Sequence, residues 1–238
     1  MFIKRIKLKA SSIFILLLFY CCTCYASDID KDLKILEDYL NSINNMSFIF
    51  TQIDHSNQKE IGWMQIVKPN KLRIEYKGEN DLIILANSYY LVLYKAHDDV
   101  ITSLSNDGPW NIFTKTNIKI TTDINNTEAN TFVRNLKKIN INEKIYATYD
   151  ILIKNIENKF NAHILLHASF NPFQINGWTL YDQEKEIVKI KIIETLGFNQ
   201  KKINSNIFSL SEKNRSAGEV WHGPFEKLPI IRKPKHRY

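Results

Sequence analysis

Leu72, Ile74 and Tyr76 alternate with Lys71, Arg73 and Glu75, so one side of this stretch is apolar and the other charged. A period of two with this contrast marks a β-strand that buries one face. The period returns along most of the chain. Met46, Phe48 and Phe50 alternate with Ser47, Ile49 and Thr51, and Ile61, Trp63, Gln65 and Val67 share a face of the next run. Asp81 to Ala86 and Ser88 to Lys95 continue the pattern, and further strands are expected near 98–103, 117–122, 145–156, 160–170, 173–182, 186–195 and 206–210. Roughly ten to eleven strands at this spacing fit an antiparallel barrel or a strongly curved sheet, and a two-layer sandwich of this size fits as well. Tyr89 to Tyr94 and Ile151 to Ile156 are apolar or aromatic on both faces. That favours a sheet with an interior on one side and a covering element on the other. A small barrel must fill its interior with side chains or hold a ligand there.

Helical signals are fewer. Ile29, Leu33, Leu36, Leu40 and Ile43 recur at gaps of four and three and predict an amphipathic helix over 28–45. Ser27 or Asp28 suits its N-cap, and Asp30 and Asp32 complement the positive end of its dipole. A helix with a single apolar stripe must cover something. A short helix is expected near 109–115 and a longer one near 127–139.

The ends of the chain carry a different message. Lys4, Arg5, Lys7 and Lys9 precede an apolar run from Ile13 to Tyr25 that closes on Ala26. This is the three-part plan of a secretory signal peptide, too short to span a bilayer, with cleavage expected after Ala26. Cys21, Cys22 and Cys24 all fall inside it, so the exported chain would hold no disulfide, thiolate metal site or cysteine nucleophile. None of the three follows a small residue as a lipidated cysteine would, apart from Thr23 before Cys24 and Cys21 before Cys22, which serve that role poorly. The formal charge of +7 is concentrated at the ends. Residues 27–211 hold 21 basic and 22 acidic side chains, whereas 212–238 hold seven basic and three acidic. A neutral body offers no broad basic face for nucleic acid. The expected organisation is therefore a signal peptide at 1–26, one β-rich domain at 27–211 and a basic, flexible extension at 212–238.

No catalytic set stands out. His163 and His167 sit in a strand-like run, where residues four apart are about 13 Å distant and cannot share one metal ion. Asp98-Asp99 reads as a solvated turn. No nucleophile-elbow, phosphate-loop or dinucleotide string occurs. The chain is expected not to be an enzyme, and to need neither cofactor nor metal.

The order of these signals resembles a known family, the periplasmic outer-membrane lipoprotein carriers of the LolA type. The resemblance rests on the N-terminal helix, Phe48-Ile49-Phe50-Thr51-Gln52, the strand opened by Gly62, and Val67-Lys68-Pro69-Asn70. Leu72-Arg73-Ile74-Glu75-Tyr76, Leu82 to Leu85 and Leu91 to Tyr94 come next in the same order. Phe170 to Ile175, Trp178 to Asp182 and Asn206-Ile207-Phe208 match its later strands, the last as a closing strand. Three departures stand out: Asn87-Ser88 where the family often has Asp-Gly, Lys68 where it often has arginine, and 212–238 without counterpart.

The resemblance implies a mainly β fold with some α: a half-open antiparallel β-barrel covered by the N-terminal helix and short lid helices. It implies a periplasmic chaperone that shields the acyl chains of triacylated lipoproteins in an apolar cavity. Cargo would come from an inner-membrane lipoprotein-releasing ABC transporter and pass to an outer-membrane acceptor or to the outer membrane itself. Leu72, Ile74, Tyr76, Leu91 and Leu93 would line the cavity, with Phe50 and Trp63 nearby, while Lys68 and Arg73 would govern release or partner contact. Two other readings of the same fold are a lipid-sensing envelope-stress regulator and an outer-membrane lipoprotein acceptor.

Overall fold

The computed structural model describes residues 28–209 apart from 78–81, 88–89, 96–99, 106–107, 155–156, 158 and 183–184. The expected signal segment with its three cysteines, Ser88-Tyr89, Asp98-Asp99 and the basic extension lie outside the described residues.

Helix α1 covers residues 28–42. Its stripe of Leu33, Leu36 and Leu40, continued by Ile43, is buried, while Ile29 at the first turn is exposed. The helix ends before the expected 45 because Asn199 intercepts its last turn. The Asn199 amide donates to Ser42 O at 2.8 Å, and its carbonyl accepts from Asn44 N at 2.7 Å. One side chain that lies far along the sequence but next to the first strand thus satisfies both the helix terminus and the start of that strand.

Among the described residues, twelve strands complete the fold, all in one sheet. They are β1 (Asn45–Asp54), β2 (Lys59–Val67), β3 (Lys71–Lys77), β4 (Leu82–Ala86), β5 (Tyr90–Lys95) and β6 (Val100–Ser105). After a short helix α2 (Asn111–Thr114) come the two-residue β7 (Ile120–Thr121), then β8 (Thr131–Ile141), β9 (Lys144–Lys154), β10 (Phe160–Ser169), β11 (Gln174–Asp182) and β12 (Lys185–Phe198). Their order is β6-β5-β4-β3-β2-β1-β12-β11-β10-β9-β8-β7. Every pairing is antiparallel except β7 with β8. The first and last long strands meet in the middle, where β1 pairs β12 from Met46↔Phe198 to Asp54↔Val188. Among the described strands β6 and β7 are left as edges, so the sheet they form is open. It nonetheless curves, because Leu91 of β5, Phe48 of β1, Trp178 of β11 and Val133 of β8 join one apolar cluster on its inner face together with the α1 stripe.

Two expected elements are corrected. The helix expected at 127–139 is strand β8. A bulge between Val133 and Asn135 shifts its register, so Val133 and Leu136, three apart, both turn inward opposite Ile151 and Tyr149. That spacing mimics a helical repeat. The strand expected at 206–210 is a 3-10 helix, η1 (Ser205–Phe208), started by Asn204, whose side chain accepts from Asn206 N at 3.0 Å.

Two glycines explain local geometry. Phe50 and Gly62 face each other across β1 and β2, and a Cβ on Gly62 would lie 2.3 Å from the Phe50 ring. The glycine is what lets that ring lie flat in the core. Gly177, beside the bulge at His167/Ala168, has φ of +154°, and a Cβ there would sit 2.2 Å from Ile190 O. Backbone cannot step aside as a side chain can. Gly177→Ala is expected to cost about 1–3 kcal/mol of stability, and an unchanged urea midpoint would contradict the close approach of β11 to β12.

Candidate functional site

α1 does not fill the whole inner face. It lies over the half built from β8 to β11, where Tyr39 packs edge-on against Phe173 at 5.1 Å and Lys138 Nζ donates to Asp32 Oδ2 at 2.5 Å. Beside it, between β11–β12 and β2–β4, a cavity of about 370 Å³ remains. Its walls come from elements far apart in sequence: Met64, Ile74 and Ile84 on β2 to β4, Trp178 and Leu180 on β11, and Val188 and Ile190 on β12. Pro109, Trp110 and Phe113, in and before α2, close one side.

Aromatic rings line and back its wall. Phe113 packs on Trp178 at 4.8 Å, Trp178 on Phe48 at 6.1 Å, Phe48 on Phe50 at 6.3 Å and Phe50 on Tyr76 at 5.7 Å. The last three contacts are edge-to-face, an arrangement that locks rings in place and adds to the energy of area burial. Polar groups occur at one end only. Gln52 Oε1 accepts from Tyr76 Oη at 2.7 Å, and burial pushes the Tyr76 phenol pKa far up, so it stays a neutral donor. Asp54 and His55 mark the mouth beside the half-exposed Ile187. Asp54 Oδ1 accepts from Ser56 N at 2.8 Å, Ser56 Oγ at 2.7 Å and Gln58 N at 2.9 Å. These bonds fix the β1–β2 turn at the rim and, Ser56 first, hold the Asp54 carboxyl below its ordinary range. Among the described residues that line it, Asp54 and His55 stand at the mouth, and the walls behind them are apolar. Among the described residues no group of three or more His, Cys, Asp or Glu side chains is placed to hold a metal. His163 bonds Asp150 at 2.8 Å and His167 reaches Thr148 and Thr179 at 3.3 Å, so the two histidines have separate partners.

Of the residues expected around a cavity, Ile74 and Tyr76 line it directly. Phe50 lies behind Tyr76, and Leu72 and Leu91 are buried deeper on the same inner face, with Leu93 half-buried against them. Trp63 is placed differently. It sits opposite Ile49 on the outer face and packs with Ile49 and Ile207, under η1. Arg73 is also on the outer face, buried, with Nε donating to Glu75 Oε1 and Nη1 donating to Ile207 O at 2.5 Å. It is covered, not presented to a partner. Trp110, Phe113, Leu180 and Val188 were not foreseen as lining. A short helix near 109–115 was the available signal for the first two, but only the bend of the sheet carries β11 and β12 across from β3 and β4.

Lys68 is placed at the helix lid. Its Nζ donates to Leu40 O at 2.6 Å, in the last turn of α1, where carbonyls lack helical partners. Burial lowers its pKa from the ordinary 10.5 to about 8. Between those values the unfolded chain keeps a proton that the native chain releases, so stability rises with pH across this window. The stability difference between the wild type and Lys68→Met is expected to shift in favour of the wild type from pH 8 to 10.5. A Lys68 amine that titrates near 10.5 by NMR would contradict this placement. No helix among the described residues is long and apolar enough to cross a membrane.

The sequence profile of a family described as "Outer membrane lipoprotein carrier protein LolA" matches residues 41–211. Among solved structures, a LolA superfamily protein from Nitrosomonas europaea is 8% identical with a TM-score of 0.39, over 74% of this chain and 97% of that one. A DUF1329 family protein from Desulfovibrio piger is 8% identical with a TM-score of 0.41, over 76% and 96%. No curated protein sequence matches the chain.

Proposed function

Since the profile match spans residues 41–211, the chain belongs to the LolA family of outer membrane lipoprotein carrier proteins, and on that premise we propose that it carries lipoproteins through the periplasm with their acyl chains in the cavity between α2, β2–β4 and β11–β12. The observation that carries this reading is the lining: aliphatic and aromatic walls, with polar groups confined to one end. A buried methylene is worth about 0.8 kcal/mol, so acyl chains cannot cross water unshielded, and such a chamber supplies that shield without chemistry. The protein acts as a carrier and not as an enzyme.

The cavity lies near the lower end of the roughly 300–1,000 Å³ usual for ligand sites. It suits one acyl chain as it stands, and a triacylated lipoprotein requires α1 or α2 to move. The Lys68 contact to Leu40 O is one catch on α1, and the apolar stripe of α1 competes with cargo for the same sheet. Loading from an inner-membrane ABC transporter, delivery to an acceptor or to the outer membrane, export by cleavage after Ala26, and the limits of the carrier domain at 27–211 belong to the same proposal.

The test is release from membranes. Added to energised spheroplasts that retain newly made outer-membrane lipoproteins, residues 27–238 should bring them into the supernatant as one-to-one complexes. Lipoproteins that stay on the spheroplasts would refute the carrier reading.

A further inference from the structure

The outer face of the sheet is apolar and buried in a region that no described element covers. Pairing aligns Ile49, Trp63, Glu75, Ile83 and Tyr94 in one row from β1 to β5. Beside it Gln65, Arg73, Leu85 and Val92 form a second row. η1 covers the beginning of these rows, where Ile207 packs on Ile49 and Trp63 and its carbonyl accepts from Arg73. Farther along, Ile83, Leu85 and Tyr94 are only 1, 4 and 4% exposed. Among the described residues their apolar cluster is completed by Val92 alone, from the same two strands. In-plane neighbours cannot bury the outward face of a strand, so another segment lies over it.

The chain itself points to the occupant. It leaves η1 at Ser209 on this face, beside β3. Beyond Ser209 the sequence holds Leu210 and then Val220, Trp221, Phe225, Leu228, Ile230 and Ile231 before the basic run begins at Arg232. From β3 to β5 is about 10 Å at the usual strand spacing, a distance that three or four extended residues cover. The family match stops at 211, so most of this segment is additional to what the family supplies.

We propose that Leu210–Ile231 of this same chain lies across the outer face over β3, β4 and β5 and seals a second apolar surface behind the cavity wall. The inference is independent of the carrier reading, because it concerns the opposite face of the sheet.

The test places the photocrosslinker p-benzoylphenylalanine at Val92 in the full exported chain. Irradiation should join residue 92 to a peptide within 210–231 in a monomeric product. Crosslinks to a second copy, or only to peptides outside 210–231, would overturn the proposal. Hydroxyl-radical footprinting of the unaltered chain decides the matter even if the substituted protein folds poorly. Trp221 and Phe225 should oxidise several-fold more slowly than in urea, and rates equal to those in urea would overturn it.

Discussion

Arg73→Ala is expected to lower the free energy of unfolding by about 3–5 kcal/mol, the scale for removing one partner of a buried ion pair. Arg73 and Glu75 are 4 and 6% exposed. The guanidinium joins Glu75 to the carbonyl of Ile207, and so ties β3 to η1 across the outer face. Without it a carboxylate remains buried with no counter-charge among the described residues, and η1 loses its polar anchor. For a chain of this size each kcal/mol moves Tm by about 2–4 °C, so the loss should be plain in a thermal scan. The double variant Arg73→Met, Glu75→Leu removes both charges and keeps the volume. It should lie near the wild type, since the desolvation penalty disappears with the attraction. A loss below about 1 kcal/mol for Arg73→Ala would mean that the pair is solvated.

Ile84→Glu is expected to weaken binding of an acyl ligand at least about tenfold, because losing two methylene contacts already removes about 1.6 kcal/mol. Ile84 lines the cavity in register with Ile74 on β3 and Leu93 on β5. It is only half-buried, so the carboxylate can reach water at the cost of the apolar wall, and the fold should survive. Ile139→Glu makes the same chemical change at an exposed position on β8 and should leave binding unaltered. Titration of both variants with a fluorescent fatty acid separates the two outcomes. Equal affinities would place the ligand elsewhere.

Local periodicity carried much of the fold. The α1 stripe, the alternation in β3 and the meander β1 to β5 were legible, because each depends on a repeat confined to one segment. The family resemblance, built from the order of such segments, agrees with the match over 41–211. β8 was misread because a bulge converts a period of two into a gap of three at Val133 and Leu136. η1 was misread because four residues with an asparagine cap hold no periodic signal. The site shows the same division. Ile74 and Tyr76 were legible from alternation. Trp63 was not, although alternation sets it with Ile61 and Gln65, because nothing local says that Gly62 and Met64 face the interior. Its cover, like that of Arg73, comes from Ile207, about 140 residues later in a chain whose long-range pairings no local pattern encodes.

Native mass spectrometry tests the carrier reading most directly. Residues 27–238, purified from a bacterial periplasm without detergent, should carry triacylated lipoproteins at one per chain, and the Ile84→Glu protein should carry markedly fewer. A chain that is empty and takes up neither lipoprotein nor fatty acid when offered them would contradict the account.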